Sequence, residues 1–303
     1  MRQLSHVMAA TDLSDQSLRA VDRGFQIARL TGARFSIVHA LGLDPLSWLR
    51  EFAGGEAARL AGQAAERQHR ALQAIAADPA RNLGVVASVH IEEGRATAAI
   101  RSFADEHDVD LILLGAHGAG FVQRVLIGST ASRVLRTSTR PVIVVRESRE
   151  QPYLRALVAV DFSAASPLGI STVRAVAPDA ELLLLHIYDS PLERLLHIAD
   201  VSEDSIRMNR VTTAARYLDR LHELAAGAGL ERARYTALVN HGDVVQQLVA
   251  HEISYDCDLV VMGKHGTHMT EELLLGSFTS RVLAESRSDV LVVVDHRHGS
   301  ADG

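Results

Sequence analysis

The sequence predicts an α/β protein made of two tandem copies of one doubly wound domain. Each copy is expected to hold an open sheet of five mostly parallel strands with helices on both faces. Two observations lead to this prediction: an internal repeat, and apolar strand-like runs that alternate with helix-like segments. Strands that are apolar along their whole length are typical of a parallel sheet covered by helices. In such sheets, ligands bind beyond the carboxyl ends of the strands.

The internal repeat is carried by landmarks that recur in one register. The segment LILLGAHG at 111–118 matches LVVMGKHG at 259–266, and in both copies nine residues separate it from a Gly-Ser pair. A period of this length is too long for a solenoid, so each copy should be a complete domain. We therefore predict domains at 1–147 and 153–297. The matched pairs, each 147 to 149 residues apart, are Asp12 and Asp161, His39 and His186, Gly94 and Gly242, Gly115 and Gly263, Gly118 and Gly266, and Gly128 and Gly276.

The first copy begins with a short apolar strand at 6–10, and Ser14 can cap the helix that follows it. That helix carries one apolar stripe at helical spacing, formed by Leu18, Val21, Phe25 and Ala28. Further strands are predicted at 34–40, 85–91, 109–114 and 141–145, and further helices at 55–77, 96–107 and 129–136.

The second copy repeats this order. Its predicted strands are 154–160, 181–187, 232–239, 258–262 and 290–294, and its predicted helices are 166–176, 202–226, 244–252 and 277–285. Because β and α segments alternate in both copies, a parallel sheet is favoured over an antiparallel one.

Composition excludes several classes of protein. The 303 residues suit two domains, and a net charge of −6 offers no large basic face for nucleic acid. The single cysteine, Cys257, allows no intrachain disulfide and fits a reducing compartment. We read no signal peptide, because Asp12 interrupts the N-terminal apolar run, and no apolar run approaches the ~18 residues of a membrane span. A cytoplasmic protein is expected.

The strongest motif is G-x-x-G, then nine residues, then G-S, at 115–129 and again at 263–277. Each copy follows a buried strand and ends at the start of a helix, where backbone N–H groups and the helix dipole favour an anion. The alternative is that the glycines only allow the chain to turn. Neither the phosphate-binding loop with its lysine nor the G-x-G-x-x-G dinucleotide motif is present.

Two acidic residues follow the first strand of each copy, at the edge where a ligand would bind. Asp12 and Asp161 could accept hydrogen bonds from a ribose or adenine, or could instead cap the following helix. His39 and His186 close the second strands and are expected to be packed or solvent-tipped rather than ligands.

Other polar residues lie within or beside the glycine loops. His117 and His265 could contact phosphate or have no role, since histidine is mostly uncharged at neutral pH. Arg124 and Lys264 are expected to be solvated surface residues, with phosphate steering as the alternative. The histidines show no spacing typical of a zinc site.

Together these residues resemble the universal stress protein family in its tandem, ATP-binding form. The resemblance covers about 3–147 and 153–295, and it implies a fold like that of the adenine nucleotide alpha hydrolases. It also implies ATP at the carboxyl edge of the sheet, with Mg²⁺ as a cation that could bridge the phosphates. By this resemblance, Asp12 and Asp161 lie against the adenosine, and the backbones of Ala40 and Ile187 read the adenine.

The same resemblance assigns the ribose and phosphates to both glycine loops. The residues that it implies are Gly115, His117, Gly118, Gly128, Ser129 and Thr130 in the first copy, and Gly263, His265, Gly266, Gly276, Ser277 and Phe278 in the second. Phe278 is larger than the small residue usual at its position, which puts close contact there in doubt.

The family commonly dimerises through its last strands. The resemblance therefore implies that 141–145 and 290–294 could pair within one chain as a pseudo-dimer, and that two chains could associate further. Asp289 stands where the first copy has Pro141, a departure that would alter this edge.

Three functional hypotheses remain open on the sequence. The favoured one is an ATP-binding regulatory or stress-response protein with slow or no turnover, and therefore not an enzyme. A nucleotide-free interaction module is the second. A weak ATPase or adenylate-forming enzyme is the third, although the SGG-x-[DS] and HIGH elements of related enzymes are absent. Tight ground-state binding by a glycine loop does not by itself accelerate hydrolysis.

Overall fold

The chain divides into two compact units, Met1–Pro152 and Tyr153–Gly303. The computed structural model describes residues 3–41, 54–118, 127–147, 151–189, 202–264 and 276–295. Both units confirm the predicted α/β class, because in each one parallel strands alternate with helices along the chain. No helix within the described ranges is both long and apolar enough to cross a membrane.

The first unit has a five-stranded sheet in the order β3-β2-β1-β4-β5, and every pairing in it is parallel. Because the strands run outward from β1 in both directions, right-handed crossovers place helices on both faces. Its elements are β1 His6–Ala10, α1 Asp15–Thr31, β2 Arg34–Leu41, α2 Gly54–Ala77, α3 Pro79–Asn82, β3 Ala87–Glu93, α4 Ala96–Glu106, β4 Leu111–Gly115, α5 Ser129–Thr137 and β5 Val142–Val145.

Helix α1 forms as its sequence predicts. Ser14 is its N-cap and accepts a hydrogen bond from the Ser17 amide, and Gly32 ends it in the left-handed conformation at φ 71°. Val21 and Phe25 are fully buried against the sheet. The cap and the apolar stripe together fix where α1 starts and which side faces the core.

The third strand begins two residues later than predicted. Val86 is 93% exposed, so the apolar pair at 85–86 lies outside β3. The short helix α3 was not predicted. It starts because the Asp78 side chain accepts from the Ala80 amide and Pro79 occupies the first turn.

The second unit repeats the first with the order β10-β9-β6-β7-β8, again with parallel pairings throughout. Its third strand starts at Tyr235 rather than 232, because Arg232–Arg234 forms a 3₁₀ turn. Its elements are β6 Arg155–Ala159, α6 Ala165–Val176, β7 Glu181–Tyr188, α7 Glu203–Gly227, β8 Tyr235–His241, α8 Val244–Ser254, β9 Leu259–Gly263, α9 Ser277–Glu285 and β10 Asp289–Val293.

An aspartate ties the two central strands together in each unit, half-buried in the first and buried in the second. Asp110 accepts from the Ser5 amide at 2.8 Å and from the His6 amide at 3.1 Å. Asp258 occupies the equivalent position and accepts from the Leu154 amide at 2.7 Å. These bonds hold the amino ends of the central strands in register, which also aligns the carboxyl ends.

Candidate functional site

A cavity of about 410 Å³ opens in the first unit at the carboxyl ends of β1, β2 and β4. This is where the strand order reverses direction, the usual ligand position in such sheets. All eight residues predicted for the first copy line it: Asp12, Ala40, Gly115, His117, Gly118, Gly128, Ser129 and Thr130. Sequence reasoning missed other lining residues, among them Thr11, Val38, Ala96 and Ile100.

Asp12 sits on a tight turn directly after β1. Its Oδ1 atom accepts from the Ser14 amide at 3.1 Å and from the Ser14 hydroxyl at 2.5 Å. Leu13 between them has a φ of 66°, a left-handed conformation that is uncommon for leucine. Because Ser14 caps α1, Asp12 supports the cap rather than forming it. Its second oxygen, Oδ2, faces Gly118, whose added Cβ would lie 2.6 Å from it.

His39 holds the end of β1 from the neighbouring strand. Its Nδ1 atom donates to the Thr11 carbonyl over 2.8 Å, and its Nε2 atom lies 3.1 Å from Gln68 Oε1. The side chain is 6% exposed, so the packed alternative is the correct one. His186 makes the same bond to the Val160 carbonyl at 2.7 Å. Burial lowers the pKa of His186.

Gly115 and Gly128 of the first loop differ in how closely other atoms surround them. A Cβ on Gly115 would lie 2.7 Å from the Gln16 carbonyl oxygen and 2.9 Å from Ser17 Cα, so α1 packs directly on the end of β4. Among the described residues, a Cβ on Gly128 would meet only contacts of 3.4 Å and longer, and its φ of −57° is open to any residue. Protein packing explains Gly115 but leaves Gly128 unexplained.

The N-terminus of α5 faces the cavity. Gly128 is its N-cap and supplies no side-chain cap. The first amides of a helix have no partner within the helix, and here they belong to Ser129, Thr130 and Ala131, all of which line the cavity. Such a terminus attracts an anion through its N–H groups and its dipole.

The second unit places its predicted residues on equivalent elements. Asp161 Oδ1 accepts from the Ser163 amide at 2.9 Å and from the Ser166 hydroxyl at 3.0 Å. Gly276 is the N-cap of α9, again without a side-chain cap, and has a φ of −55°. Gly263 ends β9, Ile187 lies in β7, and Ser277 and Phe278 open α9, whereas His265, Gly266 and Arg124 fall outside the described residues.

Four of the lining positions carry larger residues in the second unit. In the register of the repeat, Ala40, Ala96, Thr130 and Ala131 of the first unit correspond to Ile187, Val244, Phe278 and Thr279. Each replacement adds at least one carbon atom to the side chain. The turn geometry around Asp161 is therefore combined with larger side chains at these four positions.

The expectation that Lys264 is a solvated surface residue is wrong. Lys264 is 5% exposed, because it takes the position of buried Ala116 and its amide continues the sheet by donating to the Val293 carbonyl at 2.8 Å. Asp289 is also buried, at 2% exposure, and accepts from the Tyr153 hydroxyl at 2.7 Å. The departure from Pro141 thus adds a buried polar contact within the second unit.

Comparison with known proteins agrees with this architecture. The family model described as "Universal stress protein family" matches residues 4–146 and again 152–294. The chain belongs to the universal stress protein family. It therefore contains two universal stress protein domains in tandem.

Known relatives match either nearly the whole chain or about half of it. A universal stress protein of Mycolicibacterium smegmatis is 26% identical over 297 residues, which covers 95% of this chain and 96% of that protein. A universal stress protein of Methanocaldococcus jannaschii is 28% identical over 145 residues, covering 48% of this chain and 84% of that protein.

Solved structures share the fold over nearly the whole chain. A universal stress protein from Archaeoglobus fulgidus aligns with a TM-score of 0.66 at 19% identity, covering 97% of this chain and 99% of that one. A putative universal stress protein from Pseudomonas aeruginosa aligns with a TM-score of 0.62 at 17% identity, covering 96% and 93%. At these identities, the likeness concerns the fold.

Proposed function

We propose that this universal stress protein binds ATP in the cavity of its first unit and acts as a regulatory or stress-response protein with slow or no turnover. One observation carries the proposal: a single cavity combines the uncapped N-terminus of α5 with the Asp12 carboxylate. The first suits phosphate, and the second suits the hydroxyl groups of a ribose.

The size and lining of the cavity support an adenine nucleotide. Its volume of about 410 Å³ lies within the roughly 300–1,000 Å³ typical of small-molecule sites. Val38 and Ile100 give an apolar wall for the adenine, beside the backbone of Ala40. We place the phosphates against Ser129 and Thr130, which leaves Asp12 for the ribose.

Mg²⁺ would be carried mainly by the nucleotide. In the part of the chain that the structure describes, no group of three or more His, Cys, Asp or Glu side chains could hold a metal ion. Magnesium usually keeps several waters and binds through substrate phosphates plus one or two protein oxygens. The exposed hydroxyls of Ser129 and Thr130 could supply such oxygens.

Slow turnover is proposed from the chemistry of the lining. Among the described lining residues, only Asp12 and His117 are titratable. One oxygen of Asp12 is already bonded to Ser14. Hydrolysis needs a positioned water and stabilisation of charge that develops in the transition state. Neither Asp12 nor His117 offers both a position for that water and stabilisation of the developing charge.

The second unit has two candidate roles. The Asp161 turn and the α9 terminus support a second ATP site of the same kind. The larger Ile187 and Phe278 favour the other candidate, a nucleotide-free module that serves protein interaction. We propose that the second unit binds ATP more weakly than the first.

Calorimetric titration of the full chain with ATP and Mg²⁺ tests these proposals. Gly128→Val should remove the tighter equivalent, because the added side chain would project where the phosphates must approach. Gly276→Val should remove a weaker equivalent, or none if the second unit is a scaffold. Unchanged binding in Gly128→Val, with an unchanged melting temperature, would refute the site. The rate at which ADP forms from ATP should remain near the rate for ATP in buffer alone, and rapid ADP formation would refute slow turnover.

A further inference from the structure

An open groove continues from the cavity of the first unit and runs between α4 and α5. Ala96 and Thr130 line both the cavity and the groove, so the two are contiguous. Thr130 is also in the first turn of α5, where we place the phosphates. A ligand that extends beyond those phosphates would therefore enter the groove.

Two arginines flank the entrance of the groove. Arg95 is the residue at which α4 begins, directly before Ala96, and Arg133 lies three residues after Thr130, on the same face of α5. Both side chains are exposed. Neither forms an ion pair of 4.0 Å or less with any carboxylate of the described residues. Their charges are thus available at the point where the cavity ends.

The acidic residues of the groove lie at its far end. Asp105 is ten residues along α4 from Arg95, which is about 15 Å at 1.5 Å per residue. It is already neutralised, with Arg101 Nε at 3.7 Å and Arg140 Nη2 at 3.8 Å. Glu106 accepts from the Ser102 hydroxyl at 2.7 Å. The groove is therefore cationic near the cavity and balanced further away.

The equivalent positions of the second unit lack this feature. Asp243 replaces Arg95, and Phe278 replaces Thr130. Arg281 corresponds to Arg133, but its Nη1 lies 3.5 Å from Asp243 Oδ2 and its Nε lies 3.6 Å from Glu285 Oε1. The only arginine of these positions is therefore paired with two carboxylates.

We propose that the first unit binds nucleotides with a chain of at least four phosphates, and that Arg95 and Arg133 recognise the part of the chain beyond the α5 terminus. This inference rests on the proposed nucleotide site. A guanidinium matches phosphate oxygens with paired hydrogen bonds, and two of them at the entrance suit an anionic extension of the phosphate chain. The chain could belong to adenosine 5′-tetraphosphate or to diadenosine tetraphosphate, in which a second nucleoside would occupy the groove.

The test compares ATP, adenosine 5′-tetraphosphate and diadenosine tetraphosphate by calorimetry on the full chain. In the wild type, the binding equivalent that is lost in Gly128→Val should bind at least one of the two tetraphosphates about tenfold more tightly than ATP. Arg95→Gln/Arg133→Gln should remove that preference while the Kd for ATP changes less than about threefold. Arg281→Gln is the matched control and should leave all affinities unchanged, since its partners already neutralise it.

Several outcomes would overturn the inference. The inference is wrong if the tetraphosphates bind no more tightly than ATP in the wild type. It is also wrong if the double variant loses ATP affinity and tetraphosphate affinity equally. The wild-type preference should also shrink between about 50 and 300 mM salt, because exposed charges are screened, and a salt-independent preference contradicts the arginine assignment without any variant. No binding of any of the three nucleotides refutes the proposed function itself, whereas ATP binding without preference refutes only the tetraphosphate site.

Discussion

Gly118→Ala is expected to weaken ATP binding by displacing Asp12 while leaving the fold intact. The added Cβ would lie 2.6 Å from Asp12 Oδ2, whereas ordinary contact begins near 3.4 Å, so the two atoms must separate by about 0.8 Å. The carboxylate cannot simply rotate, because Oδ1 accepts two hydrogen bonds from Ser14. Losing one of them costs about 1 kcal/mol. Together with a misplaced carboxylate, we expect a loss of about tenfold in affinity, or ~1.4 kcal/mol.

The fold should tolerate this substitution because Gly118 does not have a left-handed backbone. Its melting temperature should therefore stay close to that of the wild type. Gly62→Ala is a matched control, since no atom of the described residues outside its own helical backbone lies within 4 Å of its added Cβ. It should keep wild-type ATP affinity and gain up to about 1 kcal/mol of stability, because alanine is favoured over glycine inside a helix.

A double-mutant cycle by calorimetry decides whether Gly118→Ala acts through Asp12. In an Asp12→Ala background the clashing carboxylate is gone, so adding Gly118→Ala should change the Kd for ATP by less than about twofold. An equal tenfold loss in both backgrounds would mean that the methyl group meets the ligand directly. Wild-type affinity in Gly118→Ala would refute the reasoning altogether.

Two further predictions concern stability. Gly115→Ala should destabilise the first unit by about 1–3 kcal/mol, because its Cβ would press on the α1 backbone. Hydrogen exchange of the backbone amides in α1 and β4 should accelerate. Unchanged protection of these amides against exchange would contradict the close packing. Burial lowers the pKa of His6, so the unfolded chain binds more protons and this contribution to stability is present above about pH 6.5 and lost below it. The urea concentration at the unfolding midpoint should fall between pH 7 and pH 5, and it should fall less in His6→Asn. An equal fall in the two proteins would exclude His6 as a cause of the pH dependence.

The position of the candidate site in the first unit could be predicted because chain order alone brings its lining residues together. Asp12 follows β1 and Gly115 ends β4, and parallel neighbours present their carboxyl ends at the same edge. The repeat then transferred the same argument to Asp161 and Gly263. The cap at Ser14 was predictable as well, because it depends only on residues within the first turn of α1.

Other features depend on contacts that the sequence does not encode locally. The requirement for glycine at 115 arises from how closely the α1 backbone approaches β4, a distance set by packing between elements. Lys264 was expected to be solvated because lysine side chains usually lie at the surface. Its backbone instead continues the sheet beyond β9, which buries the residue. The arginine groove was missed because Arg95 and Arg133 lie on separate helices and share no motif.

If the first unit binds a nucleotide as proposed, the differences between the units indicate that duplication was followed by a division of roles. The parts that hold the turn persist in both: an aspartate bonded to the serine two residues on, a left-handed residue between them, and a histidine bonded to the end of the first strand. These contacts stabilise the sheet edge whether or not a ligand binds. The changes fall instead on side chains that a nucleotide would touch, as at Thr130 and Phe278, or on charges that its phosphates would meet, as at Arg95 and Asp243. Selection for the fold alone gives no reason for the turn contacts to persist while these side chains and charges change, whereas different ligand requirements in the two units do.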